Sequence, residues 1–262
     1  MNNFIAAFWA EMLKARRSKV PFFTALGFSI APLVGGLFMI ILKDPEAAKS
    51  MGLISAKAQI AAGTAEWASF FNMLAQATSI GGMILFAIIT AWVFGREFSD
   101  RTAKEFLALP TARETIVAAK FILIALWAFG LTVFIFILGL IVGSNVDIPG
   151  WSMGLLKSSI VDVLGSAVLT IALLPFVALI ASVGRGDMPA FGWAISTVVT
   201  AQIAAATGWG DWFPWSVPVL FSGAAGPRAE LLGTHSYVMV LLASAAGLAA
   251  TFIWWRYADQ NK

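Results

Sequence analysis

The sequence predicts an all-α membrane protein with six transmembrane helices, and three observations predict it. Of the 262 residues, 60% are hydrophobic and 12% charged, where soluble domains carry roughly 45–50% and about 25%. The mean hydropathy is +0.85, more apolar surface than a soluble core absorbs. Six stretches reach the roughly 20 apolar residues that a hydrocarbon core of about 30 Å requires: 20–42, 70–94, 121–142, 163–183, 188–207 and 237–255. The third observation is the distribution of basic residues over alternate loops. With a cytoplasmic amino terminus, the inner face holds twelve: Lys14, Arg16, Arg17, Lys19, Arg96, Arg101, Lys104, Arg113, Lys120, Arg185, Arg256 and Lys262. The outer face holds five: Lys43, Lys49, Lys57, Lys157 and Arg228. Both termini are therefore expected inside, in a single membrane domain over 1–262 with no linker dividing it.

Composition also removes several chemistries. The chain has no cysteine, which excludes disulfide staples, thiolate metal sites, iron–sulfur clusters and cysteine nucleophiles. The single histidine, His235, excludes a multi-histidine zinc or haem site. A net charge of +3 is too weak an excess to suggest nucleic acid as a partner.

Taken in order, residues 1–19 lack the basic start of a cleavable signal, because the charges follow the apolar residues. Phe4, Ile5, Phe8, Trp9, Met12 and Leu13 instead recur at helical spacing, with Glu11, Lys14, Arg16 and Arg17 in other sectors. This is an amphipathic interfacial helix, read either as a membrane-anchoring elbow or as a contact for a cytoplasmic partner. Small residues repeat every fourth position at Gly27, Ala31 and Gly35 and at Ser196, Thr200 and Ala204, a spacing that permits close helix packing within the bundle. Pro32 and Pro175 are expected to kink the first and fourth spans. In the first outer loop, Asp44, Pro45 and Glu46 suit the start of a surface helix.

Tryptophans mark the predicted boundaries: Trp67, Trp151, Trp209, Trp212 and Trp215 at the outer level, Trp92, Trp193, Trp254 and Trp255 at the inner one. The last outer loop, 208–228, is too apolar for a solvated connection. It reads as an aromatic belt or as a lid over a transport path, with 213–221 able to dip back as a re-entrant segment if its backbone is covered. Asp162 falls at the outer end of the fourth span, where an interfacial carboxylate is favoured over a proton relay. Gly165-Ser166 and His235 lie in different segments outside any GxSxG motif. Neither HExxH nor the phosphate-binding GxxxxGK(S/T) occurs.

One loop is informative. Between the second and third spans, 95–114 reads Gly-Arg-Glu-Phe-Ser-Asp-Arg-Thr-Ala-Lys-Glu-Phe-Leu-Ala-Leu-Pro-Thr-Ala-Arg-Glu. Ser99 or Asp100 can cap a short helix that Pro110 ends. Phe106, Leu107 and Leu109 give that helix an apolar side beside Arg101, Lys104 and Glu105. An interfacial loop with a solvated edge and a plug for a groove on another protein both fit this pattern.

Here the chain resembles the type-2 ATP-binding-cassette exporter permeases. The resemblance rests on Glu97, Thr102, Lys104, Leu107, Leu109, Pro110, Arg113 and Lys120. The wording Gly-Arg-Glu-Phe-Ser-Asp-Arg-Thr followed by Leu-Ala-Leu-Pro is closest to the bacitracin-resistance branch; many other members have Gly where Arg101 stands. The resemblance implies a permease that pairs with a second, identical or homologous permease and with two cytoplasmic ATPase subunits. ATP and Mg would belong to those subunits, with no cofactor in this chain. It implies that 95–114 is a coupling helix seated in an ATPase groove, formed by Glu97, Arg101, Thr102, Lys104, Phe106, Leu107, Pro110 and Arg113. The Gly-Arg-Gly-Asp turn at 184–187, with Arg185 and Asp187, is either a second contact or a tight cytoplasmic turn. The expected function is ATP-driven export of an apolar or amphipathic compound across a prokaryotic plasma membrane. A membrane subunit passing ATPase work to a partner complex, and an ATPase-independent membrane enzyme or channel, fit the same composition.

Overall fold

The computed structural model describes residues 3–44, 64–99, 111–224 and 232–257. Within them the chain is helical, and six helices are long and apolar enough to cross a membrane. Helix α1 (Asn3–Arg17) turns at Ser18 into α2 (Val20–Lys43). Then follow α3 (Trp67–Ser99), α4 (Arg113–Asn145), α5 (Met153–Val183) and α6 (Met188–Thr207). A 3-10 turn at Pro214–Ser216 leads into the short α7 (Val217–Phe221), and α8 is Thr234–Tyr257. Proline opens α2 and α6, and the Ser152 hydroxyl caps α5 by accepting from the Leu155 N–H at 3.1 Å. Both α2 and α5 run on through Pro32 and Pro175.

Helices α3 and α4 have 33 residues each, about 50 Å at 1.5 Å per residue. Each exceeds the hydrocarbon thickness by roughly 20 Å, so their ends project beyond it. The end of α3 at 95–99 and the start of α4 at Arg113 extend the second and third spans into what the sequence reads as loop. We call the end that carries α1, the close of α3 and α8, the start of α4 and the α5–α6 turn the basal end.

Helix α3 is the central element, with 61% of its apolar window buried against 28% for α6 and 22% for α8. Helix α5 lies beside it and also contacts α4, α6, α7 and α8. The peripheral helices keep large apolar side chains outward, among them Phe22, Leu26, Leu33 and Leu37 of α2 and Leu241 and Leu242 of α8. Only lipid or another apolar surface satisfies such faces.

One detail escapes the hydropathy reading, and one possibility it leaves open takes a definite form. Helix α3 contains a π-turn at Ala77–Gly81, a local widening often found at functional sites. The Ser79 hydroxyl there lies 2.7 Å from that of Ser222, just after α7. The chain after α6 also folds back along it. The Ser216 hydroxyl donates to the Ala201 carbonyl at 2.9 Å, six residues or about 9 Å before the end of α6. Val217, Val219 and Leu220 are buried there. Trp215 meets Trp193 at 6.0 Å and Phe176 at 5.3 Å, so Trp193 and Trp215 do not occupy opposite belts as their sequence positions suggest.

The two small-residue rows behave differently. Gly35 approaches Phe70 of α3, as close packing within the bundle requires. Ser196 and Thr200 are exposed and bond back to the carbonyls four residues earlier. The inward face of α6 is the alanine row Ala190, Ala194, Ala201 and Ala205.

At the end opposite the base, Trp67 is 4% exposed and sits among Phe70, Phe71 and Trp151. A Cβ on Gly143 of α4 would fall 2.6 Å from its Cζ3 and closer still to Cη2. Gly143→Val is therefore expected to cost about 1–2 kcal/mol by overpacking, read as a lowered thermal midpoint in detergent. Gly130→Val on the same helix meets nothing within 4 Å and should leave the midpoint in place. Equal effects at both sites would contradict the packing.

Candidate functional site

Four charged side chains from three helices meet inside the basal end. The Lys120 ammonium, 0% exposed, donates to Glu11 Oε2 at 3.1 Å, to Glu97 Oε1 at 3.0 Å and to the Val93 carbonyl at 2.8 Å. Three acceptors match the three donors of an ammonium. Lys14 donates to Glu11 Oε1 at 2.7 Å and to Glu97 Oε1 at 3.0 Å. Glu97 is 2% and Glu11 4% exposed, so two enclosed carboxylates face two ammoniums. Spacing explains the convergence. Val93 and Glu97 are four apart on α3, which places carbonyl and carboxylate on one face; Glu11 and Lys14 are three apart on α1. The cluster thereby joins α1 to the last turn of α3 and the second turn of α4, the two roots of the loop between them.

An aromatic clamp lies beside it. Arg113 Nη1 donates to the Trp255 carbonyl at 3.3 Å, and the Trp255 indole donates to the Ser182 hydroxyl at 2.9 Å. Trp255 also meets Phe94 at 6.3 Å and Phe98 at 6.0 Å, and Phe98 meets Trp254 at 5.9 Å. The start of α4 and the ends of α3, α5 and α8 are thus held together. Arg256 and Glu114, 3.3 Å apart and both more than half exposed, add little.

The α5–α6 turn presses on α3 at Gly95. A Cβ there would lie 2.7 Å from the Asp187 nitrogen and 2.8 Å from the Gly186 carbon, closer than real Cβ atoms approach backbone. Arg185 holds the turn at φ 52°, and the Gly186 N–H donates to the Ala181 carbonyl at 3.1 Å. Ser18, Arg96 and Asp187 share the lining of a basic cleft beside this contact.

A family model described as "ABC-2 family transporter protein" matches residues 7–201, a stretch that contains all four residues of the charge cluster. The chain belongs to the ABC-2 transporter family. It is 27% identical over 180 residues, 68% of this chain and 85% of the relative, to the protein named bacitracin transport permease protein BCRB from Bacillus licheniformis. No solved structure matches. The chain is accordingly the transmembrane subunit of an ATP-binding-cassette exporter of the bacitracin-like branch, a multi-pass membrane protein with ATP use implied for a partner ATPase subunit.

In this ABC-2 permease the expected site residues part company. Arg101, Thr102, Lys104, Phe106, Leu107 and Pro110 lie outside the described residues, as does the surface helix expected after Asp44. Glu97 and Arg113 flank that segment, and both turn inward, to the charge cluster and to Trp255 respectively. Arg185 is exposed and Asp187 half-buried in the turn against Gly95.

Sequence reasoning missed Glu11, Lys14 and Lys120 as partners of Glu97. The amphipathic stripe of α1 divides in the structure: Ile5, Trp9 and Leu13 stay exposed, while Phe8 and Met12 pack against the core beside the buried Glu11 and Ala15. The available signal was Lys120 at the edge of an apolar run, where an ammonium needs a partner.

Two other polar sites lie towards the opposite end. Asp162 is exposed, nine residues or about 14 Å from the start of α5. It lines a cleft of about 280 Å3 with Asn72, Ser158, Ser159 and Ser222. His235 meets Asp211 at 3.1 Å and lies against the Trp212 ring, tilted by 32° at 4.6 Å. Among the described residues, no group of three or more His, Asp or Glu is placed to hold a metal.

Proposed function

We propose that this permease converts the closure of cytoplasmic ATPase subunits into a change of access across the bundle, acting through the basal charge cluster. The basal end faces the cytoplasm in this reading, with both termini inside a prokaryotic plasma membrane, as the excess of Lys and Arg there favours. Two ATPase copies, which hold the ATP and Mg, serve two permeases, identical or homologous. The chain itself takes no part in the hydrolysis.

Arg101, Thr102, Lys104, Phe106, Leu107 and Pro110 form the coupling helix. Phe106 and Leu107 seat it, Arg101 and Lys104 pair with charges on the ATPase, and Pro110 ends it. Glu97 and Arg113 do a different job at its two roots. Their side chains tie the loop to α1, α4 and α8, so a push on the loop reaches those helices as one body. The 184–187 turn, with Arg185 and Asp187, adds a smaller contact and carries the push to α5 and α6. Energy enters because the ATPase binds two arrangements of the bundle with different affinity. The observation that supports this reading best is the Glu11–Lys14–Glu97–Lys120 cluster, which links both roots of one loop to the interfacial helix.

The cargo class is an apolar or amphipathic compound such as a peptide antibiotic, a drug or a lipid, as the name of the bacitracin permease relative and the apolar outer faces of α2 and α6 favour. The covered fold-back at 213–221 serves as a re-entrant outer lid over the path.

Co-expression with the cognate ATPase tests the reading. Phe106→Asp, which places a charge in the apolar seat, should lower ATPase recovery on the purified permease by about tenfold or more and abolish ATP-dependent efflux. Arg113→Glu, which cuts the root from the Trp255 carbonyl rather than altering the seat, should lower efflux with a smaller loss of ATPase recovery. Wild-type recovery and efflux with both changes would remove the loop from the mechanism.

A further inference from the structure

We propose that the cleft around Asp162, far from the base, binds the ammonium group of an amphipathic amine, with the apolar part of the same compound along Phe71, Leu155 and Phe221. The cleft, of about 280 Å3, lies between α3, α5 and the end of α7, and its polar lining is Asp162, Asn72, Ser158, Ser159 and Ser222. Asp162 carries the inference. Its backbone carbonyl accepts from the Ser166 hydroxyl at 2.7 Å, but its carboxylate has no hydrogen bond or ion pair among the described residues. Glu11, Glu97, Glu114 and Asp211, by contrast, each face a basic group. An ionisable side chain on a membrane helix calls for a partner, and here the cleft offers the room for one.

The hydroxyls beside Asp162 make the cleft selective for a donor. Ser158 and Ser159 each spend their single proton on the Leu155 carbonyl, at 2.9 and 2.8 Å, and so have only lone pairs left to give. The Ser222 hydroxyl is engaged by Ser79 at 2.7 Å and by the Val219 carbonyl at 3.0 Å. Asn72 accepts from Gln76 Nε2 through Oδ1 at 3.1 Å, which leaves its amide nitrogen to meet a carbonyl or hydroxyl of the ligand. An ammonium has three donors and no acceptor, the complement of a carboxylate flanked by acceptor hydroxyls. An anion would meet the carboxylate as a like charge.

A second observation, independent of charge, gives the site its apolar wall and its height. A Cβ on Gly165 would fall 2.7 Å from Phe221 Cε1, so this ring rests on bare α5 backbone three residues past Asp162. The Ser79–Ser222 contact ties the wall to the π-turn of α3, and π-turns recur at functional sites. Asp162 stands 21 residues, or about 32 Å, from Val183 beside the basal turn. A hydrocarbon core of about 30 Å therefore places it at the opposite face, where an amphipath keeps its charge in the headgroup layer and its apolar part below. The proposal deepens the reading of the cargo as amphipathic, and rests on it only in taking the bound amine as cargo. An aminophospholipid would offer the same ammonium.

Binding is measured on the purified full-length permease in detergent, without ATPase, by scintillation proximity with tritiated 4-phenylbutylamine. The amine should bind saturably, and 4-phenylbutanol, which keeps the shape without the charge, should compete about tenfold less well. Asp162→Asn, a near-isosteric change at an exposed residue, should weaken amine binding about tenfold with the thermal midpoint unchanged, and Ser158→Ala about threefold. Asp162→Glu should keep part of the binding that Asp162→Asn loses. Wild-type binding in Asp162→Asn, or an alcohol that competes as well as the amine, would overturn the site. Palmitoyl-oleoyl phosphatidylethanolamine should displace the amine no better than the matching phosphatidylcholine; preferential displacement would assign the cleft to a lipid headgroup and overturn the cargo assignment. With the cognate ATPase co-expressed, Asp162→Asn should lower ATP-dependent efflux of 4-phenylbutylamine about tenfold while ATPase recovery holds, and unchanged efflux would overturn that assignment too. Phe106→Asp leaves amine binding untouched, so a failure of the coupling reading is told apart from a failure of this site.

Discussion

Replacing Lys120 with methionine is expected to destabilise the permease by about 3–5 kcal/mol, the cost of removing one partner from a buried ion pair. Methionine fills much of the volume of the lysine chain, so little of this loss comes from packing. It comes from Glu11 and Glu97, 4% and 2% exposed, which are left with Lys14 as the remaining ammonium of the cluster. The Val93 carbonyl also loses the donor it holds at 2.8 Å. The decisive comparison is a second variant, Lys120→Met with Glu97→Gln, which returns the cluster to one carboxylate and one ammonium. Most of the lost thermal midpoint should come back in the double variant, because the penalty is an unbalanced buried charge rather than a missing contact. If the single variant melts with the wild type, or the double variant lies lower than the single one, the four residues do not act as a charge-balanced unit.

This cluster also shows where the sequence is legible and where it is not. The spans are legible because a bilayer imposes a length and a polarity on each helix independently of its neighbours. The windows 188–207 and 20–42 accordingly match α6 and α2 closely. Membership of the permease family is legible in the loop wording around Glu97 and Pro110, a local pattern. What escapes is long-range pairing. Glu97 sits 83 residues from Lys14 and 23 from Lys120, and no periodicity along the chain connects them. Amphipathicity misleads for α1 in particular: a hydrophobic stripe identifies a helix at an interface but leaves open whether the stripe meets lipid or protein. Here Ile5 and Trp9 stay exposed, and the bundle takes Glu11 because the buried Lys120 ammonium meets it. The Ser196–Thr200 row misleads for a related reason. Small hydroxyl residues permit close approach, but they also satisfy themselves on their own helix, and α6 uses its alanines for contact instead. The fold-back after α6 is legible only as one possibility at 213–221, because Pro214 and Pro218 announce a turn without saying where the turn packs.

Gly95→Val is the substitution expected to separate binding of the ATPase from transport. The added Cβ would fall 2.7 Å from the Asp187 nitrogen and 2.8 Å from the Gly186 carbon. These are backbone atoms, so no rotamer change relieves the clash. The turn that carries them has little freedom of its own, since Arg185 already occupies the left-handed region at φ 52° and Gly186 is bonded to Ala181. Relief must come from moving the whole α5–α6 turn away from α3, at a stability cost at or above the upper end of the about 1–3 kcal/mol typical of overpacking. The proposed coupling residues Phe106 and Leu107 are not the residues changed, so the ATPase should co-purify close to the wild-type level, less only the smaller contact proposed for the 184–187 turn. ATP-dependent efflux should nevertheless fall by about tenfold or more, the scale reached when a reacting assembly loses its geometry at a distance. Gly192→Val, on α6 with nothing within 4 Å of its added Cβ, should change neither readout. Loss of ATPase recovery in Gly95→Val as large as the loss of efflux would make the turn a principal docking surface rather than a smaller contact, and wild-type efflux would show that α6 does not need its grip on α3 to move cargo.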